Sequence, residues 1–405
     1  MKMKYLLAAA ILIAAPSLAS AQTKKPLKIG VLNDQSTVYA DSQGIGSVIA
    51  ARLAVEDYAK KLGLDNVEVV SADHQNKVDI GSNIARAWYG NDGVEVIMDV
   101  PNSAIALAVN TLAKDMNKVL IGSGAGTANL TGVACTPNTI HWTYDTWELG
   151  HGFANAVTKR GGKKWFFISA DYQFGKDLEA AASDGVKKLG GKVVGSVHAP
   201  LGSSDFSSFL IQAQSSGADT IAFANAGNDL SNALKQAAEF GMAKKYRMPG
   251  FVFQINNVQA LGLEASQGVL GLMPFYWDQN EASRAFAKRF QALHPRKLMP
   301  NDMQAGVYSA TVHYLKAVAA LKDASDGRAV VAKMKEMPTD DPLFGKGKIR
   351  VDGRKIHPVY LYETKKPSES KGEWDYFKLV ATVPADQAFR PLNEGGCPLV
   401  KHAKN

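Results

Sequence analysis

From Leu27 onward the chain alternates between short β-branched apolar runs and longer stretches that are apolar on one helical face. LKIGVLN (27–33), NVEVVSA (66–72), VEVIMDV (94–100) and VLIG (119–122) read as strands, and 47–62, 76–89 and 103–116 read as helices between them. In 47–62 the residues Val48, Ala51, Val55, Tyr58 and Leu62 share one face, while Arg52, Glu56 and Lys60 lie elsewhere. Gly63 fits a helix stop. This order leaves few folds open. Strands that follow one another through helices pair in parallel, with right-handed crossovers and helices on both faces of the sheet.

The pattern breaks over 135–145 and restarts at Lys163. Strands are predicted at 163–170, 192–199, 219–225, 248–253 and 269–273, with helices at 177–189, 207–216 and 229–240. After Tyr276 come three helical patterns, 281–293, 302–322 and 328–337, and then short strands at 348–353, 357–363 and 374–380. Asp340 and Asp341 precede Pro342 and read as a turn. At 405 residues two domains are expected. No low-complexity linker divides them, and the late helices look able to complete an earlier sheet.

The first 21 residues differ from the rest. Lys2 and Lys4 precede the apolar run 5–15, and Ala19-Ser20-Ala21 fits a cleavage site. The run is too short to span a bilayer, so a cleaved secretory signal and a mature start at Gln22 are expected. Without Lys2 and Lys4 the formal net charge falls from +8 to +6. The basic residues are scattered rather than concentrated in a stripe, which argues against a nucleic-acid surface. The two cysteines, Cys135 and Cys397, are an even pair in an exported chain, and a disulfide between them is expected.

Signs of catalysis are missing. The chain has no GxSxG elbow, no HExxH and no Walker A motif. GIG at 44–46 lacks the third glycine of a dinucleotide fingerprint, as does GSGAG at 122–126. His141 and His151 are not spaced as ligands of one metal. His74, Asp73 and Asp79 read more simply as a polar strand-end loop. No cofactor and no metal is expected. The loop 122–127, Gly-Ser-Gly-Ala-Gly-Thr, follows a strand, which is where open α/β sheets bind ligands. By itself it reads as a turn.

The order of a signal segment, LKIGVLNDQSTVYADSQGIGSVIAARLAVEDY, a strand ending in VPNSA, VLIGSGAGTANLTG and SADYQFGKDL resembles the type I periplasmic solute-binding proteins of ABC importers, in the branch of the leucine/isoleucine/valine-binding proteins. The resemblance covers essentially all of the mature chain. It implies an α/β fold of two doubly wound parallel-sheet lobes joined by a three-strand hinge. Lobe 1 is placed at 27–144 plus 278–350, and lobe 2 at 145–277 plus 351–405. It also implies a periplasmic location, a small-molecule ligand enclosed between the lobes, an inner-membrane ABC permease as partner, a monomer, no nucleic-acid partner and no enzymatic activity. Carried over position by position, the ligand contacts are Tyr39, Asn102, Ser103, Ala125 and Thr127 on the first lobe. On the second they are Tyr172, Phe174, Asn225, Ala226 and Gln254, with Trp277 near a crossover.

Physical chemistry adds reasons for several of these roles. Ser103 opens a helical pattern, as an N-cap or as part of an anion site at the helix N-terminus. Tyr39, Tyr172 and Phe174 would supply apolar walls. The resemblance also marks a departure. Amino-acid binders of this family meet the ligand's ammonium with an acid after a late strand, and the corresponding stretch here, GFVFQINN (250–257), has none. A buried ammonium without such a partner is costly. Ala226 stands where a bulky aromatic is common. The expected ligand is therefore a small aromatic or branched carboxylate without an amine. The alternatives are a branched-chain amino acid or amide, and, in other classes, an exported α/β enzyme or a ligand sensor.

Overall fold

A computed structural model describes residues 25–402; the predicted signal segment 1–21 lies outside them. The first half of the chain runs β1 (Leu27–Asn33), α1 (Gly44–Tyr58), β2 (Val67–Asp73), α2 (Val78–Gly90), β3 (Val94–Asp99), α3 (Ser103–Asp115), β4 (Val119–Gly122) and β5 (Thr139–His141). Its strands form one sheet in the order β2-β1-β3-β4-β5. Every pairing is parallel. The inner strands β1, β3 and β4 are mostly apolar and buried because helices cover both faces of the sheet, whereas the edge strand β2 is only partly covered.

The chain continues through α4 (Thr146–Thr158), β6 (Lys164–Ala170), α5 (Gln173–Lys188), β7 (Lys192–Ala199), α6 (Ser207–Ser215), β8 (Thr220–Ala224), α7 (Gly227–Glu239), α8 (Ile255–Leu261), α9 (Leu263–Ser266) and β9 (Leu270–Met273). A second parallel sheet has the order β7-β6-β8. Then come α10 (Glu281–Leu293), α11 (Asp302–Leu321), α12 (Gly327–Glu336), β10 (Thr339–Asp341), β11 (Gly345–Ile349), β12 (Lys355–Ile356), β13 (Val359–Thr364) and β14 (Phe377–Val383). The late helices do return to the first sheet. Ala310, Tyr314 and Leu315 of α11 and Val330 and Met334 of α12 share a core with Ile29, Val96, Met98 and Ile121. Of the late strands, β11 keeps Ile349 in that core, while β13 and β14 go the other way. β14, β13 and β9 form an antiparallel sheet. Its Leu272, Val359 and Leu361 pack in one core with Trp165 and Phe167 of β6.

Three local expectations are corrected. Residues 248–253 are not a strand and touch β8 only through an isolated bridge between Phe223 and Gly250. Pro249 has no N–H to give a ladder, and the chain turns there toward α8. Helix α4 was not predicted, because Gly150 and Gly152 lower helix propensity. Its face of Leu149, Phe153, Ala154 and Val157 is buried nonetheless, and Gly150 is what lets α4 approach α5. A Cβ there would lie 2.6 Å from the backbone nitrogen of Ala182. Finally, α5 starts at Gln173 rather than at 177, which puts Phe174 in its first turn.

Asp340 and Asp341 lie in β10 rather than in a turn. The turn follows at once, with Asp341 Oδ1 accepting from the backbone N–H groups of Leu343 and Phe344, both at 2.9 Å. Cys135 and Cys397 are bonded to each other, tying the C-terminal segment to the stretch after β4 across 262 residues of sequence.

A cleft between two parallel sheets

The carboxyl ends of β1, β3 and β4 face those of β6 and β8, and the loops after them meet. Tyr39 and Tyr172 join the two sides, with their hydroxyls 2.5 Å apart. Both phenols are buried, and burial raises their pKa well above the usual tyrosine value. Around them stand Ser42, Gln43, Pro101, Tyr144, Phe174, Ala226, Val252 and Met303. None of these side chains carries a formal charge. Free space between them is small, about 10 Å³.

The first wall is built from backbone and small polar groups. Tyr39 is placed by Asp34, whose carboxylate accepts from the N–H groups of Thr37 and Tyr39, both at 2.8 Å, and from the Thr37 hydroxyl at 2.6 Å. In the glycine-rich loop, His141 holds Ala125 in place by donating from Nε2 to its carbonyl at 2.7 Å. Burial drops the pKa of His141 to about 4, so the ring stays neutral. The carbonyl of Gly124 accepts from the Tyr144 hydroxyl at 3.0 Å. Gly126 must be glycine for packing: a Cβ there would sit 2.7 Å from the Phe174 ring. The backbone N–H groups of Ala125, Gly126 and Thr127 donate to no group among the described residues. A run of such amides is an anion-binding concavity.

Behind this loop, β3 ends in two non-glycine residues with positive φ, Asp99 at 81° and Val100 at 53°. Such strain persists only where the surroundings over-determine it. Asn33 Nδ2 donates to Asp99 Oδ2 at 3.0 Å, while Asp99 Oδ1 and the hydroxyls of Ser103 and Ser123 are buried without a partner. Burial raises the Asp99 pKa to about 6.

The second wall is built from side chains. Tyr172 is the residue before α5 and Phe174 is in its first turn. Their rings tilt against each other at 6.1 Å between centroids. Gly227, with φ 58°, sits where a Cβ would be 2.3 Å from the carbonyl of Val38, so the two sides also touch through backbone.

The structure brings most of the predicted residues to this cleft or its edge, in modified roles. Asn102, rather than Ser103, caps α3, accepting from the N–H groups of Ala104 and Ile105 at 3.1 and 3.3 Å. Ser103 takes the first helical position. The Thr127 hydroxyl is engaged across the cleft, donating to Asp177 Oδ2 of α5 at 2.5 Å. Asn225, at the end of β8, is fully buried, and neither of its amide atoms has a partner. Ala226 lines the cleft. Gln254 caps α8, and its Nε2 donates to Asp302 Oδ1 at 2.5 Å. Trp277 is not brought in; its indole N–H donates to the carbonyl of Trp374 at 2.9 Å.

Sequence reasoning missed Gln43, Tyr144, Asp302 and Met303. Tyr144 lies in the stretch without periodicity. Asp302 and Met303 open α11, a helix start marked in the sequence by the Asn301/Gln304 capping box, but only the fold shows that it points here. Asp302 also changes the reading of 250–257. That stretch has no acid of its own, yet an acid from α11 is hydrogen-bonded to its Gln254. Burial raises the Asp302 pKa to about 7, opposed by the Gln254 hydrogen bond.

Among the described residues no cluster of three or more His, Cys, Asp or Glu could hold a metal, and no helix is long and apolar enough to cross a membrane.

Comparison with known proteins adds the following. A family model described as periplasmic binding protein matches residues 26–373. The chain is 48% identical to a periplasmic binding protein of Burkholderia mallei, with a TM-score of 0.89 over 92% of this chain and 99% of that one. It is 40% identical to a branched-chain amino acid ABC transporter periplasmic ligand-binding protein of Burkholderia xenovorans, with a TM-score of 0.81 and the same coverage. It is 25% identical to Leu/Ile/Val-binding protein homolog 6 of Brucella abortus, over 87% of this chain and 90% of the relative.

Proposed function

This chain belongs to the periplasmic binding protein family, a family of solute-binding proteins rather than enzymes, and from that premise we propose that it is the extracytoplasmic binding component of an ABC importer for a small aromatic or branched carboxylate. The observation that carries the ligand class is a cleft lined by uncharged side chains, four of them aromatic, beside three uncommitted backbone N–H groups at 125–127. The amides of Ala125, Gly126 and Thr127 and the N-terminus of α3 at Asn102 and Ser103 take the carboxylate. Tyr39, Tyr172 and Phe174 sandwich the apolar body, with Asn225, Ala226 and Gln254 at its far end. The moving parts are the lobes 27–144 plus 278–350 and 145–277 plus 351–405, which close on the ligand by hinge bending and present it to a membrane permease. Secretion through the 1–21 segment puts the protein in the periplasm, as a monomer.

A specific observation favours a second reading. Asp302 beside Gln254 supplies a carboxyl that an amino acid's ammonium could meet, and the 40% identical Burkholderia xenovorans protein is named for branched-chain amino acids. A thermal-shift panel separates the two, because a ligand that binds only the native state raises the melting temperature by mass action. Stabilisation by benzoate- or cinnamate-type acids and branched 2-oxo acids supports the first reading. Stabilisation by leucine or valine alone refutes it in favour of the second. Native mass spectrometry of the freshly purified protein would name whatever it retains.

A further inference from the structure

A carboxyl is buried directly behind the wall that takes the ligand's head. Asp99 ends β3 and is fully buried. Its backbone carbonyl accepts from the N–H of Gly124 at 3.1 Å. A Cβ on Gly124 would lie 2.4 Å from Asp99 Oδ1 and 3.3 Å from Gln43 Nε2. The carboxyl therefore stands against the residue just before the free amides of 125–127, and Gln43 beside it lines the cleft.

The surroundings of this carboxyl are polar but bring no positive charge. β1 supplies Asn33, whose Nδ2 donates to Asp99 Oδ2, while the neighbouring Asp34 carboxylate is turned to Thr37 and Tyr39. α1 supplies Ser47. Beyond the loop, the Tyr144 phenol feels the Asp99 charge, which adds to the burial that raises its pKa. His141, under Ala125, is kept neutral by burial. Among the described residues no lysine, arginine or histidine acts on Asp99. Three buried acceptors here have no donor: Asp99 Oδ1, Asn33 Oδ1 and Gln43 Oε1. Buried orphans of this kind are rare and call for an explanation. One proton on Asp99 Oδ1 turns an orphaned acceptor into a donor, with two unfilled acceptors among its neighbours.

We propose that Asp99 couples ligand capture to protonation, each carboxylate held at 125–127 entering with one proton that comes from solvent and rests on Asp99. This rests on the carboxylate reading given above. A ligand carboxylate on the loop amides brings a like charge to within about one residue of Asp99, in a cleft with little room for water, and like charges so placed do not both persist. Burial has already lifted the Asp99 pKa to about 6, against the weaker pull of the Ser47 and Asn33 side chains. The ligand's charge lifts it further, so the complex binds more protons than the free protein above about pH 6. Affinity then rises as pH falls toward 6 and levels off below it. Asp99 is a positioning residue: it acts through the loop and sets the pH at which an anionic head is accepted.

The test is isothermal titration calorimetry with benzoate, cinnamate and 4-methyl-2-oxopentanoate, all ionised across the range used. It is run at about pH 7 in PIPES, HEPES and Tris, whose ionisation enthalpies differ, and then at about pH 6 and 8 in one buffer. Uptake of at least about half a proton per ligand is expected, with binding at least about tenfold weaker at pH 8 than at pH 6, the change that one pKa unit of coupling gives. Asp99→Asn keeps the shape without the charge. It should abolish the uptake and bind at pH 8 at least about tenfold tighter than the parent does there, whereas loss of a merely structural residue would weaken binding at every pH. Ser47→Ala removes a group that favours the ionised carboxyl and should move the onset of the weakening to higher pH, which keeps the assignment testable if the Asp99 variant does not fold. Saturable binding without proton uptake overturns the inference alone. So does uptake that persists in Asp99→Asn, or a pH profile that Ser47→Ala leaves in place. Failure of all three acids to bind at any pH from about 5.5 to 8 overturns the carboxylate reading and the inference with it.

Discussion

The two walls of the cleft are made of different material. The wall on the first sheet is chiefly backbone around the Tyr39 ring: a glycine-rich loop, a helix N-terminus, two strained residues at 99 and 100, and hydroxyls buried without partners. The wall on the second sheet is side chain: Tyr172 and Phe174 in contact, with Ala226 and Val252 beside them. Backbone N–H groups recognise charge and cannot be mutated away, whereas aromatic rings set shape and can be exchanged. Under the proposed function, the first wall fixes which head group the protein takes, and the second which body. Relatives could then change their ligand by altering one wall while the other stays the same.

The strongest attack on this division is at Phe174, which is almost fully buried against the Gly126 backbone. Phe174→Ala should cost about 3–5 kcal/mol of stability, read by urea unfolding. It should also widen ligand selectivity without shifting the preference for an anionic head; loss of that preference would erase the difference between the walls.

Next comes the tether of the first wall. Replacing both Cys135 and Cys397 by serine should cost about 2–5 kcal/mol, since the bridge closes a very long loop. The check is the fall in melting temperature against the oxidised parent, and an unchanged value would show that the loop after β4 is held by packing alone.

The third prediction concerns Asp99. Its folded pKa is raised, from 3.8 to about 6, chiefly by burial. Between these values the folded state binds more protons than the unfolded one, so the stability associated with the neutral carboxyl is full below about pH 4 and is lost as pH rises through 6. The loss is about 3 kcal/mol, from a shift of about two units at 1.36 kcal/mol each. Asp99→Asn should flatten this part of the stability–pH curve. A variant with the parent's slope would transfer the dependence to another buried acid, such as Asp302.

The smallest effect is expected at the contact joining the walls. Thr127→Val removes the hydroxyl bonded to Asp177 and should cost about 1–2 kcal/mol. In a double-mutant cycle with Asp177→Asn the two losses should not add. Full additivity would mean that the contact does not couple the two sides.

Much of the cleft was legible in advance because its positions follow strand ends. Ala125, Thr127, Tyr172 and Ala226 all come directly after predicted strands, and strand ends are set by local pattern. Tyr144, Asp302 and Met303 were illegible for the opposite reason. They stand where the chain crosses from one sheet to the other or starts a distant helix, and no local periodicity reports what lies across a gap. Trp277 shows the converse error: an aromatic near a crossover looked like a wall, but its N–H had a backbone carbonyl nearer at hand.

By itself the sequence determined the alternation of strands and helices, hence parallel sheets and loops at their carboxyl ends, because hydrophobic period and glycine placement are local properties. The Cys135–Cys397 pairing was also readable, since an exported chain with two cysteines leaves one intramolecular choice. Only the tertiary structure decided that 248–253 turns away from the sheet, that α4 forms in spite of its glycines, and that an acid from residue 302 reaches Gln254. Each of these depends on energies that arise between distant segments: a missing ladder donor, a close helix approach, and a carboxyl kept from water by its neighbours.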